Sequence, residues 1–176
     1  MQMNMQINIL ISNILKISKI DNQKIVIEQE LFELDEQIRE VVLSLEKEWT
    51  NKNIELDIDL DEVSIRTDKT LLSHVWSNII GNAIKYSYDN SKIEIKLRNE
   101  NDKIKVTIKD YGIGIEEEKI PYIFNKFYQG DTSHATQGNG LGLALVKRVI
   151  DIMHAEISVE SIPGKGTTFT VKIRRT

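Results

Sequence analysis

What most constrains this chain is a change of period along it. Ile54, Leu56, Ile58 and Leu60 alternate with Glu55, Asp57, Asp59 and Asp61. A side-chain period of two belongs to a half-buried β-strand with the acids turned outward. Read instead as a calcium loop, DIDLDE lacks the glycine that must follow the third acid. SKIEIKLRN and DKIKVTIKD repeat the alternation on either side of a polar turn at Glu100 to Asp102, and AEISVES and TTFTVKI repeat it around PGKG. Each pair predicts a hairpin. Helical spacing interrupts these runs three times. Ile38, Val41, Val42 and Leu45 fall on one face of a helix expected from about Leu34 to Lys52. Asp68 can cap a second helix, and LALVKRVIDIMHA forms a third. With short β-like pieces at KIVIEQELF and VSIRT, the order predicts an α+β fold: a two-layer sandwich whose mixed or largely antiparallel sheet carries helices on one face.

Ahead of that pattern, Met3, Ile7, Leu10, Ile14 and Ile17 alternate steps of four and three, the seam of a helical bundle, and the polar DNQ at Asp21 to Gln23 ends it. Such a wide stripe suits either a packing arm of the domain or the stump of a longer bundle, and the second reading divides the chain into residues 1–22, the end of a bundle, and residues 23–176, one compact domain. A formal charge of −4 with Lys and Glu intermixed argues against a general nucleic-acid or anionic-membrane surface, so any phosphate site must be local. The absence of cysteine excludes disulfides and thiolate metal sites. No apolar run approaches the ~20 residues needed to cross a bilayer, and MQMNMQ lacks the basic start of a signal peptide. A soluble cytoplasmic domain is expected.

WSNIIGNAIKYS then raises a problem. Leu72, Val75, Ile79 and Ala83 would face the sheet, but Asn78, Gly81 and Asn82 weaken the helix that carries them, a helical glycine alone costing of order 1 kcal/mol. Gly81 is expected to allow close packing, and Asn78, Asn82 and Lys85 share a side of the helix. Glycines also cluster in DYGIGI, GNGLGLAL and PGKGTTF. GNGLGL is GxGxG with no strand before it, which excludes a dinucleotide fold, and Lys165 is followed by Gly166, which excludes a P-loop. What remains is a glycine loop entering a helix, where unpaired N–H groups can receive phosphate oxygens.

These stretches together resemble the ATP-binding catalytic domain of sensor histidine kinases, the HATPase or Bergerat fold of the superfamily that also holds DNA gyrase, mismatch-repair ATPases and heat-shock chaperones. WSNIIGNAIKYS resembles the asparagine box, DYGIGI the first glycine box, IFNKFYQGD the phenylalanine box, GNGLGLAL the second glycine box and GKGTTF the last. The resemblance runs from about Phe32 to Arg174 and implies a protein-histidine kinase using ATP and Mg2+. It implies that Asn82 holds the magnesium ion, assisted by Asn78, that Lys85 meets a phosphate, and that Tyr86 borders the ribose. Asp110 would accept the adenine amine, Gly112 and Gly114 would bring the backbone to the ring, and Thr167 would support the base through water. Gly138, Gly140, Leu141 and Gly142 would cradle phosphates. Lys126 is a candidate γ-phosphate or interdomain contact, and Phe124 and Phe127 would pack the hinge of a lid from about Tyr128 to Asn139. Gln129 stands where many members carry a basic residue, so no phosphate role is assigned to it.

The chemistry turns on Asn78. Relatives that hydrolyse ATP place a glutamate there as a base, whereas an amide cannot take a proton. The expected nucleophile is a histidine on a dimerisation domain of the same protein, of which residues 1–22 resemble the end of the second helix. His74, His134 and His154 lack the acceptor context of a histidine followed by an acid and shortly by proline. The resemblance further implies a homodimeric full-length protein that can be membrane-anchored, and a cognate response regulator as partner. Two other readings compete: a degenerate nucleotide-binding regulatory module, and an ATPase or serine kinase of the same superfamily.

Overall fold

The structure is a computed structural model that describes Ser18, residues 27–130 and residues 140–175. The expected bundle helix and most of the expected lid lie outside the described residues. The elements run β1 (Glu30–Glu33), α1 (Leu34–Ser44), α2 (Glu46–Asn51), β2 (Glu55–Leu60), β3 (Ser64–Thr67), α3 (Lys69–Tyr86), β4 (Lys92–Asn99) and β5 (Lys103–Asp110). A 3-10 segment at Glu117–Tyr122 follows, then α4 (Gly142–Ile152), β6 (Glu156–Ile162) and β7 (Gly166–Arg174).

Five strands form a mixed sheet in the order β2-β4-β5-β7-β6. β2 runs parallel to β4, and the β4–β5, β5–β7 and β6–β7 pairs are antiparallel, so both predicted hairpins form. β1 and β3 pair with each other in a separate two-stranded sheet. On the inner face Ile95, Ile108 and Phe169 stand level across three strands, as do Leu97, Val106 and Val171. The helices cover this face with Leu72, Val75, Trp76, Ile79 and Ile80 of α3 and Leu145, Val146 and Val149 of α4. Alternation was less informative at the edge: Ile58 of β2 is 38% exposed, because an edge strand has a neighbour on one side only.

The helix expected from Leu34 to Lys52 is broken at Leu45, whose backbone leaves helical geometry at φ −104°, ψ 15°. The carbonyls freed there find other donors. The Ser44 hydroxyl donates to Val41 O at 2.6 Å, and the Trp49 indole N–H donates to Val42 O at 3.0 Å. The break thus turns the amphipathic Trp49 against the core while its polar end stays paired. Two buried polar side chains on α1 link it to its surroundings: Gln37 accepts from the Trp76 indole at 3.0 Å and donates to Lys69 O at 2.7 Å, and Asp35 accepts from Val63 N–H at 3.2 Å. α3 begins as the sequence predicts, with Asp68 accepting from Leu71 N–H at 2.9 Å. Among the described residues, no helix is long and apolar enough to cross a membrane.

Candidate functional site

One end of the sheet's inner face breaks the apolar pattern. Ile104, Val106 and Ile108 of β5 point at the helices, and the next residue in that series is Asp110, buried at 4% exposure opposite Ile93. In β7 the series Ile173, Val171, Phe169 continues to Thr167, also buried, and its partner in β6 is Ser161. Three polar side chains therefore replace aliphatic ones at the same end of three adjacent strands. Asp110 Oδ1 accepts from Gly112 N–H at 3.0 Å and Thr167 N–H at 3.3 Å. Oδ2 receives no hydrogen bond from the described residues, so a carboxylate oxygen is left for an outside donor. Burial pushes the Asp110 carboxyl up to about 6, against the opposing pull of those two N–H groups.

Ser161 was missed by sequence reasoning, although its signal was present in the alternation Ile157, Val159, Ser161. Its hydroxyl accepts from Ile115 N–H at 2.8 Å, donates to Gly166 O at 3.0 Å and lies 2.8 Å from the Thr167 hydroxyl. It ties the first glycine loop to the last strand. Gly112 is required by contact: a Cβ there would stand 2.0 Å from Tyr86 O. Gly114 lies against Ile162 O, and Gly164 N–H donates to Ile113 O at 2.7 Å, so the loop after Asp110 is pinned to the β6–β7 turn.

The C-terminal end of α3 meets the loop after Asp110, where Tyr86 O accepts from Ile113 N–H at 3.1 Å. The apolar side of α3 is fully buried, and Asn78, Asn82 and Lys85 are partly exposed. Asn78 donates to His74 O at 2.7 Å, whereas the Asn82 amide has no hydrogen bond to the described residues. The Lys85 ammonium rests over the Tyr86 ring, 4.9 Å from its centre, and Tyr86 itself is 40% exposed. Gly81 does not serve close packing as expected: a Cβ there would meet nothing within 4 Å.

α4 starts beside the same stripe. A Cβ on Gly142 would come 2.6 Å from Asn78 Oδ1, so the first turn of α4 sits against the asparagine side of α3. Among the described residues no side chain caps this terminus, where the helix dipole and the N–H groups of the first turn suit an anion. Leu141 belongs to the core, 1% exposed, so its side chain does not line the site. Phe127 N–H donates to Gly140 O at 2.9 Å, which brings the phenylalanine and second glycine boxes together at the two ends of the expected lid. Phe124 packs against the core, but Phe127 is 63% exposed. Lys126 is exposed in the same turn. Gly138 and His134 lie outside the described residues.

The family described as histidine kinase-, DNA gyrase B-, and HSP90-like ATPase matches residues 67–176, from just before α3 to the end of the chain. The chain belongs to this family. Membership in this ATPase family identifies ATP as the nucleotide. The chain is 32% identical over 164 residues, 92% of its length, to the signal transduction histidine-protein kinase ArlS of Staphylococcus aureus strain USA300. It spans 36% of that relative's length. The catalytic domain of the histidine kinase ThkA has the same fold, with a TM-score of 0.76 and 30% identity over 85% of this chain and 97% of that one. ThkA in complex with the response regulator protein TrrA matches with a TM-score of 0.80 and 27% identity, over 98% of this chain and 49% of that one.

Proposed function

We propose that this chain is the catalytic, ATP-binding part of a two-component sensor histidine kinase, which holds Mg-ATP between α3 and the polar end of the sheet and presents the γ-phosphate to a histidine of a dimerisation domain. The observation that carries the reading is the buried Asp110, whose Oδ2 is unclaimed, at the same end of the sheet as the asparagine side of α3. A carboxylate in a low-dielectric wall recognises a base amine, and Asn82 supplies a neutral oxygen suited to a hard cation already paired with phosphate. The partly exposed Asn82 amide, with no hydrogen bond to the described residues, fits magnesium: Asn82 would hold the ion, which would supply neutralisation of phosphate charge. Lys85 and the first turn of α4 receive phosphate oxygens, Tyr86 borders the ribose, Gly112 and Gly114 back the base, and Thr167 supports it through water.

Asn78 directs the chemistry. It carries an amide, which takes no proton, so this stripe lacks a general base for water. The reading therefore assigns attack to an imidazole nitrogen, with ADP leaving in line. Similarity to ArlS and ThkA supports a kinase over the two competing readings, and the ThkA–TrrA complex supports a response regulator as the downstream partner. Residues 1–22 are assigned to the dimerisation domain, which makes the full-length protein a homodimer. Calorimetric titration with Mg-ATP tests the site. Binding that Asn82→Ala and Asp110→Ala each weaken, in protein that remains folded, is the expected result, and a wild-type chain that binds no Mg-ATP would overturn the reading.

A further inference from the structure

The last turn of a helix leaves carbonyls without intrahelical donors. At the end of α3 each one can be traced. Ala83 O receives Ser87 N–H at 3.1 Å and the Ser87 hydroxyl at 2.6 Å, and Tyr86 O receives Ile113 N–H at 3.1 Å. Ile84 O and Lys85 O are taken by one side chain from another element. The Lys52 ammonium donates to them at 3.0 and 2.7 Å, and to Ser87 O at 2.9 Å. An ammonium has three hydrogens, and all are used here, at the negative end of the helix dipole.

Lys52 is itself held in place. It ends α2, and its carbonyl accepts from Asn90 N–H at 2.8 Å, while Asn53 donates to the Asn90 side chain at 2.7 Å. The corner between α2 and β2 is thus strapped to the turn between α3 and β4. The last turn of α3, which leads into it, carries Lys85 and Tyr86, and this corner meets the loop after Asp110 through Tyr86 O and Ile113 N–H and through the bridge between Ser87 and Gly112.

We propose that Lys52 is a positioning residue for nucleotide binding: its three hydrogen bonds fix where Lys85 stands relative to Asp110, so that phosphate and base are engaged at once. The inference rests on the nucleotide-site reading above. Lys52 touches no ligand in it and acts through the last turn of α3.

The test compares wild type, Lys52→Met and Lys52→Arg by calorimetry with Mg-ATP and with adenosine, alongside thermal melts. Loss of the charged hydrogen bonds is expected to weaken Mg-ATP binding by about tenfold and adenosine binding far less, so that the preference for the phosphorylated ligand shrinks. Lys52→Arg, which keeps a charge and several donors, restores most of that preference. A lower melting temperature with the Mg-ATP to adenosine preference unchanged would show a structural cap only and overturn the proposal. Should Lys52→Met not fold, Lys52→Gln carries the same comparison, and an unchanged preference in that variant overturns it equally. Wild-type protein that binds neither ligand would remove the underlying site reading, whereas wild-type binding with an unaffected Lys52 variant removes this inference alone.

Discussion

At the scale of single residues, Asp110 carries the sharpest expectations. A base contact is common to ATP and ADP, so Asp110→Ala should weaken both by roughly the ~1.5–3 kcal/mol of a charged hydrogen bond and leave the ratio of the two affinities nearly unchanged. Selective loss of ATP would place Asp110 at the phosphates instead. Its carboxyl titrates at about 6 in the fold against an ordinary value of 3.8, so the folded chain holds the proton more tightly than the unfolded one. The stability this contributes is fully present below about pH 3.8 and is lost as pH rises through about 6, a change of about 3 kcal/mol. Ligand-free Asp110→Asn should therefore gain on wild type in melting temperature as pH rises from about 3.8 to about 6, with little further change above about pH 7. Binding moves the opposite way. Because the ionised oxygen accepts the amine, wild-type affinity for ATP should fall as pH drops through about 6, and the Asn variant should show a flatter profile over the same range. For the metal, Asn82→Ala should keep the fold, since Ala favours the helix, while abolishing the gain in ATP affinity that magnesium confers. Equal gains in mutant and wild type would move the ion elsewhere.

At the scale of elements, two glycines of the site make opposite predictions. Gly81→Ala places a methyl in open space on α3, so the variant should be about 1 kcal/mol more stable, read as a rise in melting temperature, with nucleotide affinity retained. Gly112→Ala drives a Cβ to 2.0 Å from Tyr86 O, backbone that cannot swing aside as a side chain can. It should cost several kcal/mol or displace the loop after Asp110, and nucleotide binding should fail in either case. A Gly112→Ala protein with wild-type melting and affinity would mean that the loop has another resting place. The strands were legible from their period, because a strand's two faces are written in alternate residues, whereas Asp110 was singled out by the resemblance of DYGIGI to a glycine box. The break at Leu45 was not legible. It depends on Trp49 reaching Val42 O and on Ser44 reaching Val41 O, contacts that leave no trace in the apolar spacing of α1 and α2.

At the scale of the whole molecule, the expectation is that this chain alone binds Mg-ATP without appreciable hydrolysis or self-labelling. Asn78 lacks a carboxylate, His74 lies partly covered on α3, and His154 follows α4 in a left-handed turn at φ 53°, away from an acceptor context. Catalysis of phosphoryl transfer is mostly positioning, so bound ATP persists without an aligned imidazole. Incubation with γ-labelled ATP, followed by acid and base treatment, is the measurement. Acid-labile label on this chain would make one of its histidines an acceptor, rapid phosphate release without label would favour an ATPase, and label on a separately supplied bundle is the expected result.

Local pattern determined a large part of this protein from sequence: hydrophobic period fixed the strand and helix types, Asp68 marked the start of α3, and the ordered asparagine and glycine boxes pointed to ATP. These signals lie within a few residues of one another, or in a fixed order, so a linear reading finds them. Only the tertiary structure decided which atoms remain available and which are spent. Asp110 keeps Oδ2 because Thr167, from a strand far along the chain, takes Oδ1 together with Gly112. Ser161 joins the site by register with Thr167, and Lys52 joins it by reaching three carbonyls more than thirty residues away. Hydrogen-bond satisfaction is a property of neighbours in space, and a chain's own order does not specify those neighbours until the sheet has paired and the helices have packed on it.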